Sequence, residues 1–195
     1  MDTFTWCLNY LREFQTAQQQ RASVSSTQSA PRPIKWQPPS THGYKLNVDA
    51  AISESQRCVG FGAIIRDTTG FVLAAVAKKF HNPLKPKTAE VAALSFGINW
   101  ATKVFPSFEA VETDAQAVVS ALKTAHSYRS ELGCFLKDVT SLLTTPPGVS
   151  VSYVPRECNN TTYGLAKLAL RLDELFWMEK ISFSIISAVI SDCSI

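Results

Sequence analysis

Four residues, Asp67-Thr68-Thr69-Gly70, separate two β-rich runs, 59–66 (VGFGAIIR) and 71–79 (FVLAAVAKK). Asp and Thr supply local side-chain bonds and Gly supplies backbone freedom, so the two runs read as a hairpin closed by a tight turn. Upstream, residues 44–51 (YKLNVDAA) alternate. Leu46 and Val48 fall on one face, and Lys45, Asn47 and Asp49 on the other, as in a strand. Three successive strands commit this part of the chain to a locally joined antiparallel sheet. After a polar, Pro-containing loop at 80–88 the period changes. Val91, Leu94, Ile98 and Ala101 have helical spacing over 89–104, placing Glu90 in the first turn of a helix. A short strand at 108–113 follows, and Thr113 or Asp114 can cap a helix over 115–123. Leu132, Phe135, Leu136, Val139, Leu142 and Leu143 mark another amphipathic helix, broken by Pro146-Pro147-Gly148. A fifth strand at 149–154 and a closing helix at 161–172 complete the order β-β-β-α-β-α-α-β-α. That order predicts an α/β fold: a mixed five-stranded sheet, three antiparallel strands and then parallel ones, flanked by helices.

This core occupies part of 195 residues. Residues 1–20 carry a short N-terminal helical pattern (Trp6, Leu8, Leu11, Phe14), and 21–43 form a Ser/Pro-rich linker unable to build a core. The domain is expected at 44–175 and a C-terminal tail at 176–195. Trp36, beside Pro38-Pro39, is expected to pack on the edge of the domain; Phe61, Phe71, Phe96, Trp100 and Trp177 have core spacing. With 46% hydrophobic and 18% charged residues, a chain disordered throughout or an ordinary coiled coil is excluded. Five cysteines (7, 58, 134, 158 and 193) form no C-x-x-C pair, which argues against structural zinc and a disulfide scaffold. Asp2, Arg12 and Glu13 interrupt any secretory core, and the apolar stretch 181–195 falls short of the roughly 20 residues that span a bilayer. The expectation is a soluble monomer, nuclear or cytoplasmic, neither secreted nor membrane-bound. A net charge of +3 permits a nucleic-acid partner without demanding one.

Ten acids lie between Lys45 and Leu170. Asp49 stands inside a strand, where a charge is costly unless a cation or hydrogen bonds compensate it. Asp114 follows a strand's carboxyl end, the usual place for ligand sites in open α/β sheets. Asp49, Glu90 and Asp114 would repel one another if they converged, and sharing hard cations such as Mg2+ would relieve that repulsion. Spacing alone also accommodates three unrelated acids: a polar strand residue, a helix N-terminal acid and a cap.

Seven segments in order resolve the ambiguity by resemblance. They are WQPP (36–39), KLNVDAA (45–51), GFGAIIRDTTG (60–70), AEVAAL (89–94), VETDAQAVV (111–119), VPRECNN (154–160) and LAKLA (165–169). Together they resemble the plant reverse-transcriptase-like ribonuclease H domain, a retroelement-derived family. The resemblance implies a ribonuclease H-like fold and a hydrolase, an endonuclease that cuts the RNA strand of RNA–DNA hybrids with two Mg2+ or Mn2+ ions. It makes Asp49, Glu90 and Asp114 the catalytic metal ligands. The family's closing helix carries a fourth acid, in a pattern like N-x-x-A-D-x-L-A-K. Here the segment is NNTTYGLAK, and Tyr163 stands at the acid's place. A phenol is neutral near pH 7 and a poor Mg2+ ligand, so the second ion should be held more loosely than the first. Glu157 and Asp173 are near in sequence without matching the position. The exonucleases of the same broad fold carry Asp-x-Glu in the first strand, whereas Asp49 is followed by Ala50 and Ala51.

Lys78, Lys79, Lys85 and Lys87 fall within ten residues free of acids, either a solvated loop or a track for a phosphate backbone. Arg156 and Asn159 either orient a nucleic-acid strand or cap the closing helix. His42, in the linker, and His126, between two helices, have no partner that would define a mechanism. Two functions therefore stand: a Mg2+-dependent ribonuclease on RNA–DNA hybrids, weakened by Tyr163, and a catalytically inactive nucleic-acid-binding or interaction domain.

Overall fold

The computed structural model describes residues 35–39, 43–124, 130–144, 148–172 and 174–178. The N-terminal helical pattern, most of the linker, His42, His126, Asp173 and the chain after Met178 lie outside the described residues. Strands β1 (Tyr44–Ser53), β2 (Cys58–Arg66) and β3 (Val72–Phe80) form the expected antiparallel run. The β2–β3 turn closes as its chemistry dictates. The Asp67 carboxylate accepts the N–H groups of Thr69 and Phe71 at 2.8 and 2.9 Å, and Gly70 takes a φ of 81° that a side chain would resist.

The chain then enters helix α1 (Pro86–Val104). This helix starts three residues before the expected position because Pro86 occupies its first turn, where the missing N–H costs nothing. The Lys85 carbonyl accepts the Ala89 N–H at 2.9 Å. Strand β4 (Phe108–Thr113) lies parallel to β1, followed by α2 (Gln116–Thr124) and α3 (Glu131–Leu142), the latter capped by the Ser130 hydroxyl on Gly133 N–H. Strand β5 (Ser150–Tyr153) lies parallel to β4, and a single 3-10 turn (Arg156–Cys158) leads into α4 (Asn160–Ala169). The five expected strands form a mixed sheet. A sixth, β6 (Glu174–Met178), pairs antiparallel with β3 and gives the order β5-β4-β1-β2-β3-β6. It straddles the position where the sequence reading divides domain from tail.

Alternation sorts the sheet into two faces. Leu46, Val48, Phe61, Ala63, Ile65 and Val76 bury against Val91, Leu94 and Ile98 of α1 in the main core, to which Leu136 and Val139 of α3 contribute. On the other face Ile64, Ala75 and Ala77 meet Leu165 and Ala169 of α4. Here α4 lies almost on the strand. A Cβ at Gly60 or Gly62 would collide with the backbone of Ala166 or Thr162, so glycine at these two positions lets helix and sheet touch. Phe71 departs from its core expectation: it is 55% exposed, since the turn aims it outward. Phe61 is buried, Phe96 and Trp100 pack on the core, and the Trp177 side chain is outside the described residues.

Trp36 is fully buried and closes a polar network against the sheet. Its indole Nε1 donates to Glu112 Oε2 at 2.7 Å, and its ring lies 3.7 Å from the Arg66 guanidinium carbon. Lys45 Nζ donates to Glu112 Oε1 at 2.7 Å and Asn47 Nδ2 to Glu112 Oε2 at 2.9 Å. Arg66 in turn donates to Asn47 Oδ1 at 2.9 Å. Buried charges persist when paired and bonded in this way. Among the described residues, no helix is long and apolar enough to cross a membrane.

Candidate metal centre

The parallel pairing of β1 with β4 ends at Asn47↔Glu112. Asp49 is two residues further along β1, and Asp114 is the first residue after β4, so both stand where the two strands part. Glu90 reaches the same place from α1. The early start of that helix puts Glu90 in the second turn, correcting the first-turn expectation; Pro86, Lys87, Thr88 and Ala89 precede it in the helix. The three residues each present a carboxylate oxygen within 4.8 Å of the others. Asp49 is only 3% exposed. Its Oδ1 accepts the Ala50 N–H at 2.7 Å. Among the described residues, its Oδ2 has no hydrogen-bond partner, and neither has Glu90 Oε2.

The electrostatics follow from this crowding. Burial pushes the Asp49 carboxyl up to about 8, with repulsion from Glu90 and then Asp114 adding to the shift. Burial, followed by repulsion from Asp114, pushes Glu90 up to about 7. The Ala50 N–H and the Arg156 guanidinium oppose both shifts. An acid cluster with two buried, unbonded oxygens and two disfavoured charges fits a hard divalent cation, which would supply the missing electrostatic partner for both. The three converging acids therefore can bind a divalent metal.

Tyr163, the fourth residue of α4, offers no carboxylate to this cluster. Its ring holds cations: the Arg156 guanidinium carbon is 4.3 Å from the ring centroid and Lys167 Nζ is 4.5 Å. Arg156 Nη1 also lies 4.0 Å from Asp114 Oδ2, and the arginine side chain is 59% exposed. Glu157 is exposed and outside the acid cluster.

The residues expected to meet nucleic acid separate into four groups. Arg156 stands at the edge of the acids. Lys85 and Lys87 are exposed at the start of α1, whereas Lys78 and Lys79 are half-buried on β3 and, as neighbours in a strand, point to opposite faces. They line the margin of a 230 Å³ groove with Phe61, Phe80, Phe96 and Phe135. Asn159 is fully buried, and its amide donates to the Val48 carbonyl of β1 at 3.0 Å. Lys167 was not anticipated as part of the site. Its signal was the four-residue step from Tyr163 on a helix, which places two side chains on one face.

Comparison with known proteins agrees with this fold. The family described as reverse transcriptase-like matches residues 47–169. An Arabidopsis thaliana protein named "putative ribonuclease H protein" is 28% identical over 142 residues, 72% of this chain. The matched region is 23% of that relative's length. Among solved structures, RNase H1 of Halobacterium salinarum superposes with a TM-score of 0.58 at 23% identity, over 66% of this chain and 97% of that one. The LC11-RNase H1 in complex with an RNA/DNA hybrid gives 0.58 at 16% identity, over 66% and 96% of the two chains. The prototype foamy virus protease-reverse transcriptase gives 0.55 at 19% identity, over 73% of this chain and 22% of that one. The fold is that of ribonuclease H.

Proposed function

The chain belongs to the reverse transcriptase-like family, and on that footing we propose that it binds RNA–DNA hybrids and hydrolyses their RNA strand with Mg2+ or Mn2+ held by Asp49, Glu90 and Asp114. The observation that carries this reading is the convergence of these carboxylates, with Asp49 Oδ2 and Glu90 Oε2 buried and unbonded. A divalent ion there would activate water and stabilise charge on a phosphodiester. The chain's own residues do the rest. Strand β1 holds Asp49 rigidly through the Ala50 N–H, and the β1–β4 notch gives the acids one open side. Arg156, more than half exposed beside Asp114, and Lys85 and Lys87 on the start of α1 offer cations to a phosphate backbone. The catalytic role belongs to the triad, the strand-binding role to these cations with Lys78 and Lys79 at the end of β3. The test is cleavage of a labelled hybrid by the purified chain in Mg2+ or Mn2+, with Asp49→Asn as control. Cutting no faster than the control would defeat the proposal.

One observation favours a second reading. Where the family's fourth acid would stand, Tyr163 is flanked by Arg156 and Lys167, so positive charge gathers at that corner. A retroelement-derived domain that binds nucleic acid without cutting it fits such a site. It predicts hybrid binding that weakens steeply with salt and no metal-stimulated product. The monomeric state and a nuclear or cytoplasmic location remain parts of the proposal.

A further inference from the structure

We infer that this centre is built for one divalent ion, with the guanidinium of Arg156 as its fixed second cation. The inference rests on the metal-dependent reading above and deepens it. Two observations converge on Arg156. Its Nη1 lies 4.0 Å from Asp114 Oδ2, on one of the two partly exposed acids of the cluster. Its guanidinium is held 4.3 Å over the Tyr163 ring, whose far neighbour Lys167 sits 4.5 Å from the same ring.

Charge balance gives these contacts their meaning. Three carboxylates are neutralised by one divalent ion together with one guanidinium. A second divalent ion would have to enter beside Asp114 against the permanent positive charge of Arg156. It would find no carboxylate on α4 to receive it, because the residue of α4 that turns toward Arg156 is a tyrosine. The aromatic face is a suitable floor for a guanidinium, which is weakly hydrated and stacks well. Arg156 differs from a metal in one respect: it is covalently part of the protein and cannot dissociate. Occupancy of the centre then follows a single binding event rather than two.

Titration of the full-length chain with Mn2+, read by the electron paramagnetic resonance of the free ion, tests this without reference to activity. The expected result is one Mn2+ per chain through the millimolar range, lost in Asp49→Asn. Arg156→Gln, a change at an exposed side chain, should bind its ion roughly three- to tenfold more tightly, because a like charge has gone. A merely structural arginine would not tighten metal binding when removed. Two ions of similar affinity in the unaltered chain would overturn the inference and leave the metal centre standing. So would an unchanged or weakened affinity in a folded Arg156→Gln. No bound Mn2+ at all would remove the metal-dependent reading itself, and this inference with it.

Discussion

The side-chain amide of Asn159 donates to the Val48 carbonyl at 3.0 Å, joining residues 111 apart in sequence. Val48 immediately precedes Asp49, so the start of α4 is fastened to the strand beside the acid centre. The Thr162 hydroxyl completes the joint by donating to the Asn159 carbonyl at 2.8 Å. Asn159→Ala would leave buried polar groups unpaired and should cost about 1–3 kcal/mol. The salt slope of hybrid binding should stay as it was, since the amide meets no phosphate. Urea unfolding together with binding at several salt concentrations measures both. A reduced salt slope with normal stability would return Asn159 to the nucleic-acid interface.

Asp49 stores unfavourable energy whenever it is ionised without a cation. Asp49→Asn should therefore raise the stability of the chelated protein at about pH 8, on the order of a few kcal/mol, while it abolishes metal binding. In a domain of this size each kcal/mol moves the melting midpoint by roughly 2–4 °C. Calorimetry in the presence of a chelator gives the answer. A variant less stable than the parent would mean that the carboxylate is already compensated within the chain.

The same shifts set a pH dependence. Asp49 ionises near 8 and Glu90 near 7 in the folded chain, against 3.8 and 4.5 ordinarily. Between those limits the folded state holds protons that the unfolded chain has released. The contribution of these groups to metal-free stability is therefore greatest in acid and declines as pH rises toward about 8. Divalent ions compete with the same protons. Stabilisation by Mg2+ should be slight near pH 5.5 and several-fold larger near pH 8.5, a difference absent from Asp49→Asn. Equal Mg2+ shifts at the two pH values would count against a proton-coupled site.

Tyr163→Asp restores a carboxylate beside Arg156 and Lys167. Hybrid cleavage should rise on the order of tenfold or more, as a second ion becomes easier to hold. Two cation–π contacts are lost, at about 0.5–1 kcal/mol each, and are replaced by ion pairs near a helix N-terminus where negative charge is favoured. Single-turnover rates at saturating Mg2+ will register the change. No gain in a variant that folds normally would place any catalytic deficit elsewhere than in the fourth ligand.

Glu112→Gln removes the charge that Lys45 and Trp36 share. Lys45 is largely buried and would be left without its counter-ion, so a loss of about 3–5 kcal/mol is expected. The acid triad is spared, and metal affinity should survive in the folded fraction. Denaturant titration compares the two proteins directly. A cost below about 1 kcal/mol would show that water, rather than protein, compensates the pair.

Asp49 was legible because strand alternation turns it away from Leu46 and Val48, and its neighbours match the motifs of a known family. Glu90 was legible as a residue type but not as a helix position. The pattern of apolar residues starts at Val91, whereas Pro86 starts the helix, and a loop-forming proline and a helix-initiating one look alike in sequence. The Trp36 network was hidden for a different reason. Glu112, Asn47 and Arg66 meet only through the parallel register of β1 with β4 and the antiparallel register of β1 with β2, and neither register is written locally. Asn159 left two roles open because an asparagine three residues after an arginine suits a phosphate contact as well as it suits a carbonyl 111 residues away. Strand β6 followed a helix whose end was expected at 172 rather than Ala169, and its pairing with β3 is visible only in three dimensions.

Trp36 precedes the first strand by eight residues, yet its indole roofs Arg66 and anchors Glu112. A fragment trimmed to Tyr44 would keep every strand and every acid of the metal centre and would still open a polar wound beneath β1. Grafting this domain onto another polypeptide, in evolution or at the bench, has to carry the tryptophan with it. The heritable unit is longer than the sheet it serves.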